Sequence, residues 1–313
     1  MTDPTSASPS VAPSSASPPS GTSGGVTKER NASLWADAGR ELLRNPAFVI
    51  SAVVALMAIS MAVVPWLWTS VDPRHCPLKL SKDRPGDDHF LGNTLQGCDM
   101  YAQAIYGARP TIQVAVLATA GVVLIGGVTG VLSGYYGRWL DAIISRLVDI
   151  FMGLPFLLGA LTLLALVQSH SVWAVVGALI TLGWPSVTRI MRASVIATRG
   201  MDYVQAARSL GASDARIIFR HVLPNAIAPV VVIATIALGG YVAAEATLTF
   251  LGVGLTPPEV SWGVMITQGQ NYLMGAPAYP HMLLVPVSFL VATVLSFILM
   301  GDATRDALDP KLR

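Results

Sequence analysis

Residues 201–225 read MDYVQAARSLGASDARIIFRHVLPN, a polar, basic segment set between two long apolar runs. It is too polar to span a bilayer and too regular for a plain linker. Asp202 is expected to cap a helix, with Gln205 three residues on approaching a capping box. Gly211 stands where that helix would stop in the left-handed conformation. Ser213 is expected to cap a second short helix running through Arg216 to His221. Pro224 then opens the next apolar run, at a position where a first-turn proline is tolerated. The pattern predicts a helix–turn–helix elbow on a membrane surface. Its first helix presents the small residues Ala206, Ala207 and Gly211, beside which another protein can approach the backbone closely. A surface helix between spans, with no partner, is the alternative.

The flanks carry the membrane reading further. Hydrophobic residues make up 53% of the 313-residue chain, charged residues 12%, and the mean hydropathy is +0.58. Soluble domains hold roughly twice that charged fraction. Six apolar runs are long enough to cross a bilayer as helices, near 47–68, 111–134, 147–168, 171–188, 225–250 and 282–301, the fourth being short. The fold class expected is therefore an all-α membrane protein with six transmembrane helices. With the amino terminus inside, the outer segments hold only Arg74, Lys79, Lys82, Arg84 and Arg109 of the 20 Lys and Arg residues. That asymmetry places both termini and the elbow in the cytoplasm.

Residues 1–33 are rich in Ser, Pro, Thr and Gly, with Asp3 the sole charge before Lys28. Such a stretch buries too little apolar surface to offset ordering entropy and reads as a disordered cytoplasmic tail, either regulatory or dispensable. It is not a signal peptide, because the apolar run begins too late and is too long. An amphipathic lead-in and first span follow over 34–68. The outer loop 69–108 holds the two cysteines of the chain, Cys76 and Cys98. A disulfide and two free thiols are both open readings, and the redox setting outside the membrane permits the bridge. Lys79, Lys82 and Arg84 beside Asp83, Asp87 and Asp88 read as a solvated, mixed surface. The core is 109–302, with a cytoplasmic tail over 303–313.

Within the spans, Asp149 follows Arg146 by three residues on one helical face, so a structural pair near the interface or a transport role is open to it. Glu245 lies late in the fifth span, where a charge faces a bundle interior or a watery cavity. Pathway lining and structural hydrogen bonding are both readings of it. Gly126, Gly130 and Gly134 recur at four-residue spacing, as close helix packing requires. Trp262 and Tyr272 read as interfacial anchors or as contacts for a docking receptor. No GxxxxGK[ST] phosphate loop, HExxH or clustered Cys/His set occurs, and no spacing suggests a nucleophile elbow. No catalytic or metal-binding residue is expected, and the work must come from another subunit.

The 201–224 segment resembles the EAA loop of binding-protein-dependent ABC importer permeases: Gln205-Ala206-Ala207, Gly211, then His221, Val222 and Leu223-Pro224 match its spacing. Gln stands for Glu at 205 and His for an apolar residue at 221. Gly134-Tyr135-Tyr136-Gly137 with Trp139, Asp141, Arg146 and Asp149 is similar to the inner turn and third span of dipeptide and oligopeptide permeases. Glu245, Phe250-Leu251-Gly252-Val253-Gly254, Pro257-Pro258, Ser261-Trp262-Gly263 and Arg305-Asp306-Ala307-Leu308-Asp309-Pro310 extend the likeness over roughly 90–313. The resemblance implies a type I importer permease fold. It implies that Tyr203, Gln205, Ala206, Ala207, Leu210, Gly211, Ala212, Asp214 and Pro224 couple the chain to a cytoplasmic ATPase. The partners implied are a homologous second permease, two ATP-binding subunits or one fused ATPase, an extracytoplasmic peptide-binding protein and membrane lipid, with no nucleic acid. ATP and Mg would sit on the partner subunits and no cofactor on this chain. Short peptides are the implied substrate. Nickel or another small solute is the alternative, and an ion-coupled secondary transporter or an ATP-independent scaffold competes from outside the family.

Overall fold

Asn45 and Pro46 divide the first apolar segment from its amphipathic lead-in. Asn45 Oδ1 accepts from the backbone N–H of Ala47 at 2.9 Å, and Pro46 stands at a helix start where its missing N–H costs nothing. The computed structural model describes residues 34–86, 89–273 and 278–308, and its regular elements are all helical. The expectation of a disordered tail over 1–33 and the residues Asp87, Asp88, Asp309, Pro310, Lys311 and Arg313 lie outside the described residues. Helix α1 is Leu34–Arg44 and α2 is Pro46–Val63. A loop follows, in which the Cys76 and Cys98 sulfurs are bonded 2.02 Å apart.

Helix α3 spans Met100–Tyr136 and starts inside the segment read as outer loop. Asp99 caps it, accepting from the Ala102 N–H at 2.7 Å, and small residues at 102, 104 and 108 carry the helix on into the apolar run. Helical structure therefore begins at Met100, inside the 69–108 segment and ahead of the apolar run. The third apolar run is not one straight span. It forms α4, Arg138–Met152, and α5, Phe156–Val167, bent by 86° at the intervening break. Pro155 lacks a donor for the helical ladder, and Leu154 before it is pushed away from helical dihedrals. Helix α6, Val172–Arg199, is capped by Ser171 and runs past residue 188, so Arg189, Arg192 and Arg199 ride on a helix rather than in a loop. The elbow contains α7, Asp202–Ser209, and α8, Asp214–Ile217, then a π-turn Ile218–Val222 and α9, Leu223–Ala226. Helix α10 is Ala228–Phe250, α11 is Trp262–Gly269 and α12 is His281–Leu308. Five of these helices are long and apolar enough to cross a membrane, or six if the bent α4–α5 pair counts as one crossing.

The glycine stripe sets how α3 meets α6. A Cβ built at Gly126 would lie 2.7 Å from the Trp184 carbonyl oxygen. At Gly130 it would lie 2.6 Å from Met191 Cβ, and at Gly134 2.9 Å from the Arg192 carbonyl oxygen. All three glycines are buried, so the absence of a side chain lets the two backbones approach. The same helix contributes Ile105, Val114 and Val122 to the core, where they join Leu179, Val187 and Leu248.

Candidate functional site

In the elbow, α7 ends in a Schellman turn. The Ala212 N–H donates to the Ala207 carbonyl at 3.1 Å and the Gly211 N–H to that of Arg208 at 3.0 Å. Gly211 takes φ +79°, the left-handed conformation that such a turn requires. The amino-terminal end departs from the sequence expectation. Met201, not Asp202, is the cap residue, and no side chain closes a capping box with Gln205. Asp202 is the first helical residue, where its carboxylate still faces the free N–H groups and positive end of the helix dipole. Ser213 holds the cap position of α8 in extended backbone without a side-chain bond. The π-turn absorbs the chain just before Pro224, which removes a ladder donor.

The elbow has two faces. Val204, Ile217 and Val222 are fully buried against the bundle. Tyr203, Gln205, Ala206 and Gly211 are exposed, Ala207 and Ala212 are half-buried, and Leu210 is 88% exposed. Among the described residues it is the most open of the large hydrophobic side chains. An added Cβ at Gly211 meets nothing of its own chain within 4 Å. Tyr203 lies tilted beside His221, ring centroids 6.5 Å apart, which gives the histidine at that position an aromatic neighbour.

Polar contacts fasten the elbow to the ends of the long helices. The Tyr135 hydroxyl donates to Asp214 Oδ1 at 2.7 Å, and Arg208 lies 5.9 Å over the Tyr135 ring. Arg199 Nη1 donates to the carbonyls of Gly134 at 2.7 Å and Tyr135 at 2.9 Å, a cation on the carboxyl end of α3. Asp141 on α4 accepts from Arg192 Nη2 at 2.7 Å and from Ser133 Oγ, joining α3, α4 and α6. Of these side chains, sequence reasoning gave a coupling role to Asp214 alone. The recoverable signal was the Gly-Tyr-Tyr-Gly turn, with a tyrosine at a helix end beside an arginine-rich segment.

The carboxylates of Asp149 and Glu245 have separate partners. Asp149 pairs with Arg189 on α6, Nη2 to Oδ1 3.5 Å, both side chains being more than half exposed. The expected pair with Arg146 is corrected: the neighbouring helix supplies the cation. Glu245 is fully buried, and its carboxyl oxygens accept from Thr111 at 3.1 Å, Thr249 at 3.0 Å and Ser261 at 3.0 Å. Trp262 is also 0% exposed, with its indole N–H donating to the Ala104 carbonyl at 2.8 Å, so it is a packed core residue and not an interfacial anchor. Tyr272 faces Lys82, whose ammonium lies 5.2 Å from the ring centre. Lys82 is thus held against the rings of Tyr272 and Tyr279 and is not a simply solvated charge. Pro224 stands in the first turn of α9.

A helical bundle with several membrane-length spans and a fastened polar elbow is the build of a multi-pass membrane protein. Residues 126–313 match the family described as binding-protein-dependent transport system inner membrane component, and residues 33–80 match the N-terminal transmembrane domain of oligopeptide transport permease C. The chain belongs to the first of these families and is an inner-membrane, multi-pass component of a transport system. It is 33% identical over 281 residues to the dipeptide transport system permease protein DppC of Alkalihalophilus pseudofirmus, covering 90% of this chain and 91% of that one. It is 33% identical over 285 residues to the oligopeptide transport system permease protein OppC of Bacillus subtilis, covering 91% and 92%. Among solved structures, an inward-facing MetNI methionine ABC transporter aligns with a TM-score of 0.53 at 22% identity, over 66% of this chain and 97% of that one. That likeness shows a fold shared with a chain of that ABC transporter.

Proposed function

We propose that this chain forms, with a homologous second permease, the pathway by which short peptides enter the cell from an extracytoplasmic binding protein. ATP and Mg are bound and used by separate subunits that dock on the elbow. The bent α4–α5 pair serves as one crossing, giving six, with both termini and the elbow in the cytoplasm. The observation that carries this reading is the elbow itself, which exposes Leu210, Ala206 and Tyr203 while Val204, Ile217 and Val222 anchor it. The dipeptide and oligopeptide permeases named above support the peptide substrate by likeness. Movement of a docked ATPase would pass through the Tyr135–Asp214 and Arg199–Gly134 bonds into α3 and α6. It would shift the bundle between inward- and outward-open states, provided that ATP and peptide favour those states unequally.

The test is uptake by proteoliposomes that hold both permeases and the ATPases, with Phe90→Cys as an orientation marker on the outer loop. Peptide and binding protein outside with ATP inside are expected to give uptake, in vesicles whose marker reacts with an impermeant thiol reagent from outside. Uptake without ATP, or no uptake of any short peptide, would sink the reading.

A further inference from the structure

Two cavities of about 620 and 540 Å³ open at the end of the bundle away from the elbow, and they share Arg109, Pro110 and Glu259 as walls. Residues 109 and 135 of α3 stand roughly 39 Å apart by the helical rise, more than the ~30 Å thickness of the hydrocarbon core. The shared cleft and the Tyr135 anchorage of the elbow therefore lie on opposite sides of the membrane. Ligand sites typically measure ~300–1,000 Å³, so each cavity is of a size to take a small molecule.

The chemistry of the walls is mixed in sign. Arg109 and Glu259 are both exposed, and neither side chain has a hydrogen-bond or ion-pair partner among the described residues. Arg74 and Asp72 line the first cavity, and His170 and Trp173 the second. Pro110 cannot donate to the carbonyl of Tyr106, one turn earlier on α3, and Tyr106 also lines the first cavity. The cleft thus offers a free guanidinium, a free carboxylate and a carbonyl deprived of its helical donor. A protein surface of one charge sign would meet repulsion from half of these groups. A zwitterion carries both signs on one small frame.

We infer that this cleft is a passage site for the charged termini of a peptide, Arg109 taking the terminal carboxylate and Glu259 the terminal ammonium. The inference rests on the peptide-import reading. Arg109 can hold a carboxylate through two parallel N–H donors. Trp173, 68% exposed at the rim of the second cavity, offers an apolar wall to a side chain.

The experiment uses the complete transporter in proteoliposomes, with trialanine and trialanine amide as probes at saturating binding protein. Arg109→Gln is expected to lower trialanine uptake roughly tenfold, the loss of one charge-assisted contact, without lowering amide uptake. Arg109→Lys should restore most of the trialanine uptake. Glu259→Gln should lower trialanine uptake while leaving that of N-acetyl trialanine unchanged. Affinity of the complex for its binding protein should not move in any variant. Proportional loss of all three probes, weakened docking of the binding protein, or unchanged trialanine uptake in both Gln variants would overturn the site alone. Absence of uptake by the unaltered transporter would overturn the import reading and the site together.

Discussion

Glu245 shows how one side chain can organise a buried junction. Each of its three hydroxyl partners also accepts a backbone N–H: Thr249 from Leu255 at 3.0 Å, Ser261 from Val264 at 3.2 Å and Thr111 from Trp262 at 3.4 Å. A hydroxyl that donates to the carboxylate turns its lone pairs toward these amides. Glu245 therefore sets the direction of three bonds that seat the 255–264 segment and the start of α11 against α3. Glu245→Ala is expected to cost about 1–3 kcal/mol for each hydroxyl left without an acceptor. Glu245→Gln should cost less than Ala, because its amide N–H₂ opposes at least one donor but its oxygen still accepts. Thermal unfolding of the purified chain, followed by its intrinsic tryptophan fluorescence, measures both, and an unchanged melting temperature in the Ala variant would contradict the role. The sequence showed a carboxylate that needed partners, and Thr249 four residues on was a visible one. Thr111 and Ser261 were not visible, because their approach depends on how α3 and the 255–264 segment fold together. Trp262 was misread for the same reason: an aromatic after an apolar span is an anchor or a core residue according to what covers it.

At the level of elements, spacing was a good guide where one helix meets another along its own repeat. The Gly126, Gly130 and Gly134 stripe was legible and meets α6. Helix ends were less legible. Hydropathy cannot see that Asp99 starts α3 before its apolar run, or that Pro155 turns one apolar run into two helices. The α3–α6 contact gives a paired test. At Gly130 a side chain would press on Met191 Cβ and on the Thr188 carbonyl oxygen 2.8 Å away, whereas at Gly127 the nearest neighbour is Met191 Cε at 4.0 Å. Gly130→Leu is expected to destabilise by about 1–3 kcal/mol or more through overpacking, and Gly127→Leu to change stability by less than about 0.5 kcal/mol. Detergent-solubilised yield and melting temperature report the difference. Equal tolerance of the two leucines would show that the stripe does not set the helix approach.

Across the whole molecule, composition, charge asymmetry and ordered motifs made the class of protein readable before any contact was known. Elbow spacing was readable too, because a Schellman turn leaves its glycine in the sequence. What holds the elbow was not, since Tyr135, at the far end of α3, reaches Asp214 and Arg208 across more than 70 residues of chain. The central claim is that the exposed crest of the elbow is where an ATPase grips. Gly211→Val strains a left-handed residue, and Ala207 is half-buried, so changes there mix docking with local folding. Leu210 and Ala206 are exposed and allow a cleaner separation. The decisive measurement is co-purification of the ATPase subunits with Leu210→Asp and Ala206→Asp permeases at matched membrane levels, together with ATP-driven peptide uptake. The account predicts normal insertion and melting temperature, with ATPase association and uptake both lost. Full ATPase association and uptake in both variants would contradict it.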